Sequence, residues 1–286
     1  MERKPVLFAD STADLTEDLY KEFDIHNCYY HIISQGKDYR DNVDITTEQI
    51  FDVYYKTKEL PKTSCINEED YYAEFKPYLD QGYDIVCVTL GSGISTSYSN
   101  LKRLAEKHPD RIYPVDSGNL STATGLVTIE AAKAIKAGAS AKEAQEAALK
   151  VVPHTHASFV LDTLEFLKAG GRCSALQAFG ANLFSLKVEI EVSNKDATMT
   201  VGKKYRGGIS KVMPQYIRDQ LTMYKKVRTD RIMFTHSGLP QELIDLGVNT
   251  IKEIAHPDII NITRSNCTIS SHCGPNCYGV LFITED

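Results

Sequence analysis

Residues 161–192 read LDTLEFLKAGGRCSALQAFGANLFSLKVEIEV, and the change of period inside this stretch decides the fold class. Leu161, Leu164 and Leu167 recur at helical spacing, and Ala169-Gly170-Gly171 ends that run. Leu176, Phe179 and Leu183 then mark one apolar face of a second short helix. The period next drops to two: Leu186, Val188, Ile190 and Val192 alternate with Lys187, Glu189 and Glu191, as in a strand with one buried face. Two adjacent glycines permit a tight turn and close approach. Arg172 behind them has two open readings. It is held at a corner where its planar fork meets a carboxylate or phosphate, or it is a surface residue following a helix C-cap.

Upstream, strands and helices alternate. Val6–Ala9 is a short apolar strand ending in Asp10-Ser11-Thr12, followed by a helix near Thr16–Phe23 and a second strand over Cys28–Ile33. Thr46–Lys58 and Ser140–Lys150 read as helices opened by the capping boxes Thr46/Gln49 and Ser140/Glu143. Asn67–Leu79, Thr96–Lys107 and the Ala-rich Ser121–Ala137 are further helices, and Ile112–Val115 a further strand. The near-continuous apolar run Ile85–Leu90 is expected of a strand covered on both faces. This alternation predicts a parallel sheet between helices, a three-layer α/β domain.

Downstream the order changes. The strands Leu186–Val192 and Thr198–Lys204 flank Asn194-Lys195-Asp196 as a hairpin. Arg231–Thr235, Ile259–Thr263 and Gly279–Thr284 read as strands, and Ser210–Val227 and Pro240–Ile254 as helices. Runs of adjacent strands predict an α+β domain with a mixed sheet. The boundary falls near Pro153–Ala157, giving domains 1–155 and 156–286.

At 286 residues the chain is long enough for two such domains. A net charge of −6 argues against nucleic acid or an anionic membrane as a principal partner. No apolar run approaches the ~20 residues of a membrane span, so no stable membrane insertion is expected. The apolar run near the N-terminus is too short for a signal peptide, and a cytoplasmic protein is expected. Seven cysteines, an odd number, do not form a disulfide framework. Cys267, His272, Cys273 and Cys277 superficially resemble a metal site. The CGPNC spacing differs from a zinc knuckle and no second Cys pair faces it, so neither metal nor cofactor is expected.

Ligands of open α/β sheets bind beyond the carboxyl ends of the strands. Three polar loops occupy that position: Asp10-Ser11-Thr12, the stretch Gly91 to Tyr98, and Asp116-Ser117-Gly118. Pro61-Lys62-Thr63-Ser64 is a fourth candidate beside them. The second combines glycines and hydroxyls at a strand-to-helix turn, which suits an anion, yet it lacks the endings of nucleotide-binding loops. That favours a small anionic head group; the alternative is that Ser95 or Thr96 merely caps the helix. His272 lies in a polar turn before the last strand, as a donor, a titrating group or an ordinary surface histidine. Asp10, Asp14, Asp38, Asp41 and Asp44 sit in loops, where capping or solvation is expected.

Taken together, these elements resemble the DegV family of bacterial fatty-acid-binding proteins, the lipid-presenting subunits of fatty acid kinase. The similarity runs nearly end to end: Asp10 to Leu15, Pro61 to Ser64, Ser95 to Tyr98, Val115 to Ser117, Leu167 to Arg172, Tyr205-Arg206 and His272 to Pro275. Thr96 and Ser97 depart from the family's usual glycine and threonine, and Lys187-Val188-Glu189 from its usual Lys-Pro. The resemblance implies a long-chain fatty acid held between the two domains. Thr63 and Ser95 would grip its carboxylate, with Thr96, Arg172 and His272 near that end and Arg206 facing a partner, the kinase catalytic subunit. It further implies that the chain is not an enzyme alone: the partner phosphorylates the bound acid to an acyl phosphate. Burying a methylene yields about 0.8 kcal/mol, so a sixteen-carbon tail supplies roughly 10 kcal/mol before binding costs. Leu126, Phe159, Phe166, Phe179, Leu183 and Phe184 are apolar candidates for the tunnel. The competing reading is a stand-alone phosphoryl- or acyl-transfer enzyme, with His272 as acid/base and the Gly91–Ser97 loop cradling phosphate.

Overall fold

The order of strands and helices in the first 151 residues is set by apolar runs that must be covered on both faces. A computed structural model describes residues 3–174 and 186–285. The chain runs β1 (Pro5–Asp10), α1 (Glu17–Phe23), β2 (Ile25–Cys28), β3 (His31–Ser34), β4 (Lys37–Arg40), α2 (Thr47–Thr57), β5 (Lys62–Ser64) and α3 (Glu68–Asp80). It continues through β6 (Asp84–Thr89), α4 (Ser97–Lys107), β7 (Ile112–Asp116), α5 (Ser121–Lys136) and α6 (Ala141–Val151). Strands β2-β1-β6-β7 form a parallel sheet. Every residue of β6 is buried, because α3 and α4 pack on the sheet as one layer and α5 and α6 as another. Both capping boxes close as expected, at α2 and α6.

The second half comprises β8 (Thr155–Leu161), α7 (Glu165–Gly170), β9 (Leu186–Val192), β10 (Met199–Arg206), α8 (Ile209–Met223) and β11 (Ile232–His236). It ends with α9 (Gln241–Ala255), β12 (Ile260–Arg264), α10 (Cys267–Cys273) and β13 (Tyr278–Ile283). Its sheet has the order β10-β9-β8-β13-β11-β12. Only β11 and β12 pair in parallel; the other pairs are antiparallel. The sheet is therefore mixed, as the run of adjacent strands predicts. Apolar residues of α8 and α9, including Val212, Tyr216 and Ile251, pack with Phe234, Val280 and Phe282. Helix α5 meets β8, β11 and β13 as well as β1 and β6. It lies between the two sheets, with buried positions all round it from Ser121 to Ala132. Small residues in STATGLVTIEAA allow that approach.

Several readings of the sequence change. Cys28–Ile33 is not one strand: β2 ends at Cys28 in the parallel sheet, and β3 starts at His31 in a separate three-stranded sheet, β4-β3-β5. Strands of three or four residues carrying charged side chains fall below the window in which a period can be recognised. Strand β8 occupies the stretch that the sequence marks only as a boundary. His272 lies in the last turn of α10 rather than in a turn. The second short helix drawn through Leu176, Phe179 and Leu183 lies outside the described residues.

Candidate functional site

A cavity of about 710 Å³ opens where the two sheets and α10 meet. Its wall is drawn from the end of β5, the loop after β6, the start of α5, β8, the end of α7, the end of β11, α10 and β13. Thr63, Ser95, Thr96, Arg172 and His272 all line it, so five residues scattered over 210 positions share one wall. Arg206 does not; it stands exposed at the end of β10.

Each polar residue is positioned by a different element. Thr63 sits in β5, paired opposite Ile32, and its Oγ1 lies 2.9 Å from His272 Nε2. The Ser95 hydroxyl lies 2.7 Å from the Tyr30 hydroxyl and accepts from the Ser97 amide at 3.2 Å. Ser97 itself is buried, its hydroxyl 2.5 Å from that of Tyr71. Thr96 is the N-cap residue of α4 yet makes no capping hydrogen bond; its Oγ1 lies 3.1 Å from Cys65 Sγ. The capping alternative thus belongs in part to Ser95 and not to Thr96.

The glycines of this loop serve packing. A Cβ on Gly93 would collide with the backbone of Asp196, and one on Gly91 would meet the Asn119 amide at 2.9 Å. The turn of the β9–β10 hairpin therefore docks directly on the loop. The amides of Gly91, Ser92, Ile94 and Ser97 already donate within the protein. The loop brings the hydroxyls of Ser95 and Thr96 to the cavity wall beside its remaining amides.

At the Gly-Gly-Arg corner the helix C-cap reading holds. Gly171 is the C-cap of α7 at φ 66, and the exposed Arg172 turns back so that Nη1 donates to the Gly170 carbonyl at 2.7 Å. A Cβ on Gly170 would meet the His272 ring, with Cε1 at 3.0 Å and Nδ1 nearer still. Gly170 thus leaves the room that the imidazole fills. Burial, with Arg172 nearby, pushes His272 down to about 4, so the ring is neutral near pH 7. Its Nδ1 is buried and has no hydrogen-bond partner among the described residues.

Helix α10, which carries His272, is seven residues long and has no side-chain cap of its own. Two buried carboxylates from the first half supply acceptors at its N-terminus. Asp14 accepts from the Asn266 amide at 2.8 Å and from the Ser121 hydroxyl at 2.6 Å. Asp41 accepts from the Thr268 amide at 3.2 Å and from the Ser11 hydroxyl at 2.8 Å. Asp10 accepts from the Leu90 amide at 2.7 Å and from Thr12. Burial pushes Asp10 up to about 7 and Asp41 up to about 6, and Asp14 well above its usual value, while these donors pull the other way. Of the two expectations for these acids, capping holds and solvation does not: Asp10 caps the turn that follows β1, Asp14 and Asp41 accept from amides at the start of α10, and all three are essentially inaccessible. Asp44 does stay on the surface, paired with Arg40. Of the three strand-end loops, those at Asp10 and Asp116 do not line the cavity; they buttress the one that does.

Phe159 lines the cavity. Phe166 packs with Phe51 and Tyr54 in a separate cluster, and Leu126 is core in α5. Phe179, Leu183 and Phe184 fall outside the described residues. In β9, Val188 belongs to the core that holds the cavity, whereas Glu189 is buried toward α8, where it accepts from Gln220. Tyr30, Cys65, Ser121, His236 and Thr268 are lining residues that the sequence did not single out. Cys65 lies two positions beyond Thr63 and Thr268 one helical turn before His272, spacings that put them within reach of the same wall. His236 accepts from the Gly238 and Leu239 amides through Nδ1, which leaves its proton on Nε2.

These features define an α/β protein whose two larger sheets share one helix, with a partly apolar cavity fringed by hydroxyl groups. The family model described as "Uncharacterised protein, DegV family" matches residues 4–285. The chain belongs to the DegV family. A DegV domain-containing protein of Clostridium acetobutylicum is 29% identical over 290 residues, covering 99% of each chain. The structure is similar to that of the fatty acid binding DegV family protein from Streptococcus agalactiae, at 23% identity and a TM-score of 0.87, covering 99% of this chain and 100% of that one. It is also similar to a DegV family protein from Eubacterium eligens loaded with heptadecanoic acid, at 18% identity and a TM-score of 0.85, covering 98% and 100%.

Proposed function

We propose that the cavity holds a long-chain fatty acid whose carboxylate is gripped by Thr63 and Ser95, with Thr96, Arg172 and His272 at the same end. The observation that carries this reading is the composition of the wall. A cluster of hydroxyls and a neutral imidazole adjoins the apolar side chains of Leu90, Ile94, Leu120, Phe159, Met199 and Leu281. Hydroxyl donors satisfy a carboxylate that is otherwise costly to bury, while the apolar wall takes up the tail. The fatty acids bound by its structural relatives support the same ligand class.

In this reading residues 1–155 provide the carboxylate-binding loops and 156–286 close the acyl-chain tunnel. The protein is cytoplasmic, acts without a cofactor, and presents its bound acid to a kinase catalytic subunit that converts it to an acyl phosphate, with Arg206 at the surface offered to that partner. Among the described residues no helix is long and apolar enough to cross a membrane. Among the described residues the His272 Nδ1 has no orienting partner of the kind that supports an acid/base histidine, which favours the binding reading over a stand-alone enzyme.

Lipids extracted from the denatured protein and analysed by mass spectrometry are expected to contain fatty acid. Its persistent absence, with no uptake of added palmitate or oleate, overturns the binding reading. ATP turnover by the isolated chain overturns the division of labour with a kinase.

A further inference from the structure

Four hydroxyl groups stand in a row at the carboxylate end of the cavity. The buried Tyr71 hydroxyl lies 2.5 Å from Ser97 Oγ. The Ser97 hydroxyl also faces the Tyr30 phenol, whose oxygen lies 2.7 Å from Ser95 Oγ. Tyr30 and Ser95 line the cavity, and Tyr71 and Ser97 stand behind them. Tyr30 is fixed through its main chain: its amide donates to Ser11 Oγ at 3.1 Å, and its carbonyl accepts from the Asp41 amide at 2.9 Å. A buried hydroxyl proton needs an acceptor, and that need sets the direction of the row. Among the described residues Ser97 Oγ is the one hydrogen-bond partner of the Tyr71 hydroxyl, so Tyr71 donates to it. Ser97 then turns its own proton to Tyr30, and Tyr30 donates in turn to Ser95. The Ser97 amide donates to the same Ser95 oxygen at 3.2 Å. A hydroxyl oxygen has two acceptor positions and one proton. Both acceptor positions of Ser95 are thereby filled, and among the described residues its proton has no acceptor.

We propose that Tyr30 and Tyr71 are positioning residues for the head group: through this row they make Ser95 a hydrogen-bond donor only, and so set the cavity's preference for a head that only accepts. The inference rests on the fatty-acid reading above. A carboxylate has lone pairs and no proton, and it takes the Ser95 proton without conflict. An alcohol of the same chain length brings a proton of its own and finds the Ser95 oxygen already filled. That proton is left unpaired in a buried place, which is how a site built to bond in one sense rejects a close analogue. Burial holds the Tyr30 phenol well above its ordinary value, so the row keeps its protons across the neutral range.

The test measures the affinities of the full chain for palmitate and for hexadecan-1-ol at neutral pH, by displacement of a fluorescent fatty acid, with a melting temperature for each variant. The wild type is expected to prefer palmitate. Tyr30→Phe keeps the ring and frees one acceptor position on Ser95. Tyr71→Phe lets Tyr30 turn to Ser97, which frees the same position from outside the cavity. The palmitate-to-hexadecanol ratio should fall about tenfold in each, the worth of one hydrogen bond. In a Ser95→Ala background neither change should move the ratio further. Damage to the cavity's shape alone lowers both affinities together. An unchanged ratio in either folded variant therefore overturns the proposal and leaves fatty-acid binding standing. A fall that persists in the Ser95→Ala background, or a wild type with no preference for palmitate, overturns it as well. Should Tyr30→Phe not fold, Tyr71→Phe decides by the same criterion. A wild type that takes up neither ligand removes the fatty-acid reading and the proposal together.

Discussion

Replacing Gly93 with alanine tests whether the hairpin truly closes the wall of the cavity. The added Cβ would stand 3.0 Å from the Asp196 carbonyl carbon, with the carbonyl oxygen closer still, and 3.5 Å from Thr198 Cγ2. Carbon atoms pack best at about 3.5–4.0 Å, so the hairpin has to retreat by something on the order of 1 Å. The obstacle is main chain, which a rotamer change cannot relieve. Overpacking of this kind costs about 1–3 kcal/mol, and removing a glycine from the unfolded chain returns about 0.4–1 kcal/mol. The net loss is roughly 1–2 kcal/mol, which for a chain of this size lowers the melting temperature by about 2–8 °C. Ser95 lies two residues along the same loop, so lipid content should fall together with stability. Thermal unfolding followed by circular dichroism, with extracted fatty acid measured alongside, reads both. A Gly93→Ala protein that melts at or above the wild-type temperature with undiminished lipid refutes the reasoning.

Thr63→Ala combined with Ser95→Ala removes two hydroxyls from the carboxylate end. At about 1.5 kcal/mol or more each for hydrogen bonds to a charged group, affinity for palmitate in a fluorescence displacement assay should drop on the order of a hundredfold, and the melting temperature should fall as well, because the Tyr30 hydroxyl, the Ser97 amide and His272 lose their partners. His272 has a folded pKa pushed below its unfolded value, so the stability tied to its neutral form is complete above about pH 6.5 and is lost as pH falls toward 4. Melting temperatures between pH 7 and 4.5 should accordingly fall less steeply in His272→Gln than in the wild type. Asp14→Ala strands the Asn266 amide and the Ser121 hydroxyl; urea unfolding should show a loss of about 2–5 kcal/mol, two buried groups left unpaired. Arg206→Glu should reduce acyl phosphate formation with the kinase present while extracted lipid stays at the wild-type level.

What the sequence revealed depended on how local the cause was. The starts of α2 and α6 were legible because Thr46 and Gln49, or Ser140 and Glu143, cap within one turn. Strand β9 was legible residue for residue because alternation is a property of neighbours. Helix α10 was not: its short, Ser- and Thr-rich sequence has weak helical preference, and its acceptors Asp14 and Asp41 lie 252 and 227 residues away. The three-stranded sheet was invisible for the related reason that its strands gain their stability from pairing and not from pattern. The five cavity residues were named from family motifs rather than from spacing. Cys65 and Tyr30, whose neighbours Thr96 and Ser95 come together only in the folded chain, carried no such flag.

Helix α5 has a consequence for how anything reaches the cavity. It completes the core beneath the parallel sheet and the core beneath the mixed sheet at once. Prising the halves apart like a clamshell would wet apolar surface on both sides of one helix, a cost that grows with every ångström of opening. A ligand of the proposed kind would therefore enter at the rim, among strand ends and loops, rather than by parting the middle of the molecule.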